Sequence, residues 1–324
     1  MARKRVGQLG LGDGLVASRR GRTPDQLERI SGLIDWSGIA RVLAPIEPKA
    51  AGKGMAGWPS LVLFRALLLQ RWYDLSDEAL EASLFDRLSF LRFCGLSLED
   101  DVPDHSTIWR FREKLAKAGL VEPLFAELQR QLESHGVLVK RGTLIDATLM
   151  QAAARRPRME EGKTSPNDPD ARFGTNNERR RYEFGYKAHI GMDHGSGLVR
   201  TQLLTPANAQ EVSVATALIT GDEDEVLADR GYDSRALRDH LDERGIADGI
   251  MRRGRVNRAL SADEVLRNHA IAPRRRPVEK VFGALKRIYG LRRLPYFNRA
   301  RNAVCLAFAL IGYNLRRLDR MTAS

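Results

Sequence analysis

The sequence predicts an α/β protein in which an all-α N-terminal part precedes a mixed sheet flanked by helices. Three observations lead to this fold class. Residues 23–136 keep a helical hydrophobic period without strand-like alternation. At Gly142 the period changes to one that is typical of strands. Beyond it, strand and helix patterns follow in the order βββαβαβαα, which favours a mixed sheet with helices on its faces.

The helical part is divided by capping residues. Pro59 and Ser60 open the apolar run LVLFRALLLQRWYDL, and Ser76 precedes ALEASLF. Asp104 precedes HSTIWRFREKLAKAGL, and Gly119 stands at its end. Ser and Asp side chains accept hydrogen bonds from the free N–H groups that begin a helix, and glycine commonly ends one. These positions therefore predict separate short helices.

Two short helices near 76–84 and 87–93, followed by the helix after Asp104, indicate a helix-turn-helix. In that motif the first residues of the last helix read bases, so Arg110 and Arg112 are candidate DNA contacts. The alternative is an ordinary capped helix that packs through its apolar face. This stretch carries more acidic than basic residues, which weakens the DNA-binding interpretation.

The second part begins with three strand patterns, GTLIDATLM, FGYKAHIGM and LVRTQLLT. Between the first two, residues 155–181 have no hydrophobic period and many charged and turn residues. They predict a flexible insertion or a loop that orders on a ligand. A helix at 209–219, the strand EVLAD, a helix capped by Asp233, the strand IADGIM and helices near 275–289 and 297–320 complete the order.

The predicted organisation is a flexible basic arm at 1–22, a helical DNA-binding domain at 23–136 and a catalytic domain at 137–324. The formal net charge is +12. Residues 237–324 alone hold 20 basic and 8 acidic side chains, so the whole excess lies there. A basic block of this kind indicates a polyanionic partner such as nucleic acid. The alternative is a solvated, arginine-rich helical surface.

Composition excludes several classes of protein. Cys94 and Cys305 are too few for a disulfide framework, which predicts a reducing compartment. No apolar run is long enough for a signal peptide or a membrane span, so we expect a soluble, cytoplasmic protein without a membrane partner. The histidines and cysteines lack zinc-ligand spacing, and no G-x-x-x-x-G-K-[ST] loop is present for a nucleotide.

Three acids stand where a carboxylate is locally unusual. Asp146 lies inside an apolar strand pattern, although aspartate is disfavoured in strands; a strand-end or turn acid is the alternative. Asp229 closes the strand EVLAD before a turn, where an acid paired with Arg230 is the alternative. The third acid, Glu279, lies on a predicted helix.

On that helix Glu279 falls along the edge of the buried stripe together with Arg275 and Lys286. A surface Arg–Glu pair is the simpler explanation, with a stabilisation of about 0.3–0.5 kcal/mol. A carboxylate beside cations also suits an acid that holds a metal while its neighbours hold phosphate. Three carboxylates and a basic surface fit two-metal phosphodiester chemistry, because hard divalent ions such as Mg²⁺ take oxygen ligands.

At these residues the chain resembles the DDE transposases of bacterial insertion sequences, most closely the family numbered five. The resemblance covers about residues 25–318. Its helical part is GWPSLVLFRALLLQRWYDLSDEALEASLFDRLSFLRFCGL with VPDHSTIWRFREKL. Its catalytic blocks are GTLIDATLM, then GYKAHIGMD with TPANAQEV and VLADRGYDS, then RRRPVEKVFGALKRIYG.

By this match Asp146, Asp229 and Glu279 correspond to the DDE triad. The last block is similar to the family signature Y-(2)-R-(3)-E-(6)-K, with Arg275, Glu279 and Lys286 in register. The signature tyrosine would fall at 272, where this chain has Ala272. A contact made through that tyrosine is therefore not expected here.

The resemblance implies a ribonuclease-H-like catalytic domain that uses two Mg²⁺ ions, for which Mn²⁺ can substitute, held by all three acids. It implies hydrolysis of double-stranded DNA at terminal inverted repeats and joining of the 3′-hydroxyl ends to target DNA. A homodimer that pairs two element ends in the bacterial nucleoid is expected. Arg275 and Lys286 would contact the terminal phosphate, and Lys187 is a further DNA-contact candidate or a solvated strand lysine.

Two other functions stay open at this stage. One is a ribonuclease-H-fold nuclease or resolvase, which would use the same acids without strand transfer. The other is a non-catalytic repressor that binds DNA. A helical N-terminal domain with a basic C-terminal part favours the transposase, because end recognition needs more DNA-binding surface than hydrolysis alone.

Overall fold

A computed structural model describes residues 4–17, 24–49, 56–158, 164–176, 181–255 and 258–323. These residues form two units. One comprises the described residues of Met1–Ser134 with Ala307–Ser324, and the other comprises those of His135–Leu306. The sequence prediction gave the whole C-terminal end to the second domain. In the structure, the residues from Ala307 onward belong to the helical unit instead.

The helical unit is arranged around a central helix with buried residues on almost every side. This helix, α4, carries the run LVLFRALLLQRW. Burial of a helix all round is typical of the core of a helical protein. The helices of this unit in the described residues are α1 (Leu11–Ala17), α2 (Gln26–Leu33), α3 (Trp36–Leu43), α4 (Ser60–Trp72), α5 (Asp77–Asp86), α6 (Leu88–Cys94), α7 (His105–Lys117) and α8 (Val121–Ser134).

The predicted caps lie where the helices begin and end. Asp104 accepts a hydrogen bond from the Thr107 backbone N–H at 2.6 Å, and α7 follows. Ser76 accepts from the Ala79 N–H at 3.1 Å, and α5 follows. Gly119, predicted to end the last of these helices, follows α7 with a φ of 63°, a left-handed conformation that favours glycine. The three consecutive helices of the helix-turn-helix hypothesis are therefore present.

The described part of the predicted basic arm is packed rather than free. Lys4 pairs with Asp101 at 2.7 Å, and the Gly7 N–H donates to Asp100 at 2.8 Å. Helix α1 follows these contacts. The expectation of a flexible arm is thus wrong for residues 4–17, because acids of the loop after α6 hold it. Residues 1–3 and 18–22 of that arm lie outside the described residues.

Six strands form one mixed sheet within the described residues of the second unit. β1 lies at its centre, antiparallel to β3 and parallel to β5. β3 also pairs with β2 and β4, and β6 lies parallel to β5. This mixed sheet, together with the helical unit, confirms the predicted fold class of an α/β protein with an all-α N-terminal part. The strands are β1 (Thr143–Gln151), β2 (Arg172–Asn176), β3 (Arg181–Asp193), β4 (Val199–Pro206), β5 (Glu225–Ala228) and β6 (Ala247–Ile250).

The predicted flexible insertion contains ordered structure that the sequence pattern did not reveal. Within residues 155–181, β2 pairs along its length with β3. Asp168 is fully buried, and its carboxylate accepts from the Tyr186 hydroxyl at 2.5 Å and from the Asn298 N–H at 3.1 Å. These partners come from distant parts of the chain, so a search for local periodicity could not find them. Residues 159–163 and 177–180 lie outside the described residues.

Helices and two short 3₁₀ segments complete the second unit. Glu211–Leu218, predicted as an α-helix, is a 3₁₀ helix, and Arg230–Tyr232 forms a 3₁₀ turn directly after β5. The helices are α9 (Arg235–Asp242), α10 (Ala262–Arg275), α11 (Pro277–Arg287) and α12 (Arg299–Thr322). The last of these continues from the second unit into the helical unit.

Helix α10 was not predicted. Its residues are mostly polar and only Ile271 is buried, so it lacks the apolar stripe on which the sequence prediction relied. The predicted helix near 275–289 is in fact split. α10 ends at Arg275, and α11 begins at Pro277, which suits the first turn of a helix because its missing N–H would have no partner there.

Candidate functional site

The candidate site lies where the parallel pairing between β1 and β5 ends. Leu144 of β1 pairs directly with Leu227 of β5. Asp146, inside β1, and Asp229, directly after β5, each follow two residues later, so the register brings them to neighbouring positions just beyond this pairing. Each of these acids acts on the ionisation of the same buried tyrosine, Tyr232. The structure therefore brings together two of the three predicted acids.

Asp146 is held by the protein on both of its carboxylate oxygens. Oδ1 accepts from the Ala147 backbone N–H at 2.8 Å, and Oδ2 lies 3.3 Å from Arg275 Nη2. The side chain retains 22% of its exposure. Burial raises the pKa of Asp146 to about 7; Arg275 and the Ala147 N–H oppose this rise, and the negative charges of Asp229 and Glu211 add to it.

Asp229 is the N-cap of the 3₁₀ turn that follows β5. Its Oδ1 accepts from the Gly231 N–H at 2.7 Å. This geometry fits the sequence pattern, because an aspartate directly before a turn can satisfy the turn's first free N–H group. The alternative interpretation, an acid paired with Arg230, is not needed to explain its position.

A further acid that sequence reasoning missed lies beside Asp229. Glu211 begins the 3₁₀ helix after β4. A Cβ atom placed on Gly231 would lie 2.4 Å from Glu211 Oε2 and 2.9 Å from Asp229 Oδ1, so both carboxylates converge over this glycine. In the sequence Glu211 looks like an ordinary first-turn acid within TPANAQEV. The local sequence does not show whether Glu211 only begins a helix or also faces Asp229.

Lys187 of β3 is the cation that faces Glu211. Its Nζ lies 3.1 Å from Glu211 Oε1 and donates to the Ala209 carbonyl at 3.0 Å. Only 14% of the lysine side chain is exposed. Lys187 is thus engaged by the Glu211 carboxylate rather than solvated.

The hydroxyl of Tyr232 lies buried among these charges. The ring has no exposed surface, and the hydroxyl makes no hydrogen bond to the described residues. Burial raises its pKa well above the usual range, and Asp146, Glu211 and Asp229 add to the rise. An unpaired buried hydroxyl is unfavourable, and it points to a polar ligand for this place.

Glu279 is exposed in the first turn of α11. The described residues contain no group of three or more His, Cys, Asp or Glu side chains placed to hold a metal ion. The oxygen-rich donor set suits a hard divalent cation. The positions of the three acids in this structure do not suit such a cation. Glu279 is not grouped with Asp146 and Asp229, and both aspartates already accept hydrogen bonds or an ion pair from protein groups.

The two cations of the predicted signature have partners on other elements. Arg275 ends α10 and pairs with Asp146 rather than with Glu279. Lys286 of α11 donates from Nζ to the Thr148 hydroxyl of β1 at 2.6 Å. Arg275 thus belongs to α10, whereas Glu279 and Lys286 belong to α11.

The two arginines proposed on α7 differ sharply. Arg110 is exposed near the start of the helix. Arg112 is buried, where Nη2 lies 2.5 Å from Asp77 Oδ1 and 3.0 Å from Gln70 Oε1. The expectation that Arg112 contacts DNA does not fit this burial, because its guanidinium already satisfies a carboxylate inside the helical unit.

A cluster of positive charge lies at the β6 edge of the sheet. Arg238, Arg252 and Arg267 all lie within 3.2 Å of the Asp248 carboxylate. Arg238 also pairs with Asp233 at 2.5 Å, so two carboxylates face three guanidinium groups and the cluster keeps an excess of positive charge. This is part of the basic block that the sequence places after residue 236.

Fold and site together define an α/β protein with a carboxylate site just beyond the pairing of two adjacent parallel strands. Residues 138–315, more than half of the chain, match the family described as Transposase DDE domain. The chain belongs to this family, and it is accordingly a DDE-type DNA transposase enzyme. Residues 17–114 match a second family, described as Transposase domain (DUF772). The DDE family generally uses divalent metal ions.

Solved structures give distant likenesses. A cryo-EM structure of the piggyBac transposase synaptic complex with hairpin DNA is 9% identical, with a TM-score of 0.48, over 93% of this chain and 76% of that one. The Mos1 transposase paired-end complex with left transposon end is 13% identical, with a TM-score of 0.21, over 85% of this chain and 100% of that one. Among the described residues, no helix has the length and apolarity needed to cross a membrane.

Proposed function

We propose that this chain is the transposase of a bacterial insertion sequence of the family numbered five. It binds the terminal inverted repeats of its element, cleaves the DNA there and joins the freed 3′-hydroxyl ends to target DNA. The observation that carries the proposal is the register of β1 and β5, which sets Asp146 beside Asp229 in a chain of the DDE family.

The metal in this proposal is Mg²⁺, with Mn²⁺ as a substitute. Asp146, Asp229 and Glu279 are proposed as its ligands in the DNA-bound protein. A divalent cation there would supply the Lewis acid that stabilises charge on the oxygens of a phosphodiester. The protein's own part is to hold the carboxylates in place and to bind the DNA.

DNA binding is proposed to use both units. On the helical unit the exposed Arg110 is retained as a contact, and Arg112 is assigned a structural role. On the second unit the terminal phosphate is assigned to Arg275 and Lys286, with Lys187 nearby. The arginine cluster around Asp248 supports a further contact with the DNA phosphate backbone, because cations that bind phosphates release counterions from the DNA. The active species is proposed to be a homodimer that acts at the nucleoid.

The test is a cleavage and joining assay with Mg²⁺ on a labelled duplex made from the inverted repeat that bounds the gene. Asp146→Asn, Asp229→Asn and Glu279→Gln run beside the unmodified chain. We expect nicking at the repeat and joining to a second duplex, with both lost in each variant and end binding retained. Cleavage without joining would identify a nuclease, and binding without either reaction would identify a repressor. A variant that still cuts would remove its acid from the proposed site.

A further inference from the structure

A group of exposed arginines, called here the arginine patch, lies at the C-terminal end of β1. The patch consists of Arg155 and Arg156, which follow β1, and Arg292 and Arg293, which lie in the loop between α11 and α12. Gln151, the last residue of β1, forms a parallel β-bridge with Arg293, and its N–H donates to the Arg292 carbonyl at 3.1 Å. These backbone contacts bring two segments that are distant in the sequence to one place.

The segment that follows β1 is held in position by the protein. Ala152 and Ala154 are buried, and the Ala152 N–H donates to the Phe184 carbonyl of β3 at 3.0 Å. Arg293 Nε donates to the Ala152 carbonyl at 3.0 Å, and its Nη2 donates to the Ala153 carbonyl at 2.5 Å. The arginine patch is therefore a built part of the second unit.

The protein does not neutralise the charge of the patch. Arg156 lies 5.2 Å from the centre of the Phe173 ring, and Arg293 donates to carbonyls, so neither contact supplies a negative charge. In the part of the chain that the structure describes, none of the four arginines forms an ion pair with a carboxylate. Arg274, by contrast, pairs with Glu225. Neighbouring like charges repel one another, so the patch favours a polyanionic partner.

The patch and the candidate site are connected by a single strand, which sets their spacing. Gln151 stands five positions after Asp146 on β1. A strand rises about 3.4 Å per residue, so about 17 Å separates the two positions. Each strand of duplex DNA carries one phosphate per about 3.4 Å of helix axis, so this distance corresponds to about five base pairs. Residues 146–149 of β1 are only half-buried, which leaves the path between the two positions partly open.

We propose that the arginine patch binds the phosphate backbone of duplex DNA about five base pairs from the phosphodiester that is cleaved. The identity of the polyanion rests on the proposed function, whereas the position of the patch rests on the contacts at the end of β1. Guanidinium groups suit this partner, because each can donate two parallel hydrogen bonds to a phosphate. Contacts of this kind fix the register of the DNA without reading its bases.

The other end of the parallel strands supplies a matched control. Arg141 stands shortly before β1, and Arg244 stands shortly before β6; both side chains are exposed. Among the described residues, neither forms an ion pair with a carboxylate. The patch variant is Arg155→Gln with Arg292→Gln, and the control variant is Arg141→Gln with Arg244→Gln. Both remove the same charge, so a general effect of net charge would be equal in the two variants.

The experiment measures binding of the full chain to labelled duplexes by fluorescence anisotropy at several salt concentrations. One duplex carries the terminal repeat with its flanking DNA, and another has a random sequence. For the patch variant we expect the slope of log K against log salt to fall by about 1.8 on both duplexes, because each lost phosphate contact removes about 0.9. The control variant should keep the slope of the unmodified chain. Arg155→Lys with Arg292→Lys should keep most of it as well, which separates a lost charge from a disturbed fold.

Two modified repeat duplexes locate the contact. Each carries uncharged methylphosphonate linkages about four to six base pairs from the cleavage position, one on the repeat side and the other on the flanking side. We expect one of them to abolish the difference between the patch variant and the unmodified chain, which tells whether the patch holds repeat or flanking DNA.

Equal slopes for the patch and control variants would overturn the proposal, as would a difference that survives both modified duplexes. The proposed function fails separately. A chain whose patch binds the random-sequence duplex, but which neither recognises nor cuts the repeat, would overturn the proposed function and leave the assignment of the arginine patch standing.

Discussion

Lys286 of α11 donates a 2.6 Å hydrogen bond to the hydroxyl of Thr148 on β1. Thr148 stands two residues beyond Asp146, on the same face of the strand, so this bond ties the helix that carries Glu279 to the strand that carries Asp146. The position of Glu279 relative to the two aspartates therefore depends on a contact that can be removed by a single substitution.

Thr148→Val should loosen α11 from β1. A hydrogen bond that involves a charged group contributes about 1.5–3 kcal/mol, so we expect the free energy of unfolding to fall by an amount in that range. Cleavage at the repeat should fall further than this loss of folded protein explains, because Glu279 would be less well placed. Urea unfolding and the cleavage assay measure the two effects. Thr175→Val, on an exposed position of β2, is the control, and equal cleavage by both variants would contradict the prediction.

Gly231→Ala should separate the two acids that converge on this glycine. The new methyl group would lie 2.4 Å from Glu211 Oε2 and 2.9 Å from Asp229 Oδ1, so at least one carboxylate must move. Both atoms end side chains that can shift, so we expect little loss of stability, and we expect cleavage to fall at least about tenfold because the acids are displaced. Gly32→Ala, in a helix with open space around it, should leave cleavage unchanged. Normal cleavage by Gly231→Ala would show that this convergence does not matter.

The raised pKa of Asp146 predicts that the free energy of unfolding decreases as the pH rises from acidic to neutral. Burial raises this pKa to about 7 in the folded protein, whereas an unfolded aspartate titrates near about 3.9. Between these values the folded chain keeps a proton that the unfolded chain has released. Its free energy of unfolding therefore falls as the pH rises from about 4 to about 7, and then levels off.

Asp146→Asn removes this contribution, so the variant should lose less stability than the unmodified chain across that window. Urea unfolding at pH 5 and pH 8, in metal-free buffer, measures the difference. Asp224→Asn changes an exposed acid and should keep the original dependence. If Asp146→Asn also kept it, Asp146 would titrate at an ordinary aspartate pKa.

Two arginines on α7 should separate stability from DNA binding. Arg112→Met leaves Asp77 as a buried carboxylate without its cation, and we expect a loss of about 3–5 kcal/mol in the free energy of unfolding. Arg110→Met should leave stability unchanged and reduce the slope of log K against log salt by about 0.9. Thermal unfolding and repeat binding at several salt concentrations measure both. An unaltered salt slope would remove Arg110 from the proposed DNA surface.

Much of the fold follows from local patterns. Periodicity and caps located α4, α5, α7, the strand that carries Asp146 and the strand that precedes Asp229, because each signal lies within a few residues of the element. Helix α10 and strand β2 were missed because their stability comes from distant partners. α10 buries Ile271 and pairs through Arg274 and Arg275, and β2 depends on β3.

The site could be predicted only in part, because contacts between residues that are distant in the chain leave no local pattern. An acid inside a strand pattern marked Asp146 and an acid that closes one marked Asp229, but the convergence of Glu211 on Gly231 is a contact between separate loops. The helix pattern and the family signature marked Glu279, Arg275 and Lys286 as a set. Neither could show that Arg275 pairs with Asp146 and Lys286 with Thr148, because those partners lie far away in the sequence.

The division of α12 has a consequence for how the protein is made. The last part of the chain belongs to the helical unit, where the Phe308 ring packs 5.0 Å from that of Phe64 and Asp319 pairs with Arg29 at 2.8 Å. Translation delivers Phe64 long before Phe308. The helical unit therefore cannot complete its core until the residues from Ala307 onward leave the ribosome. A chain truncated before Ala307 would lack part of that core.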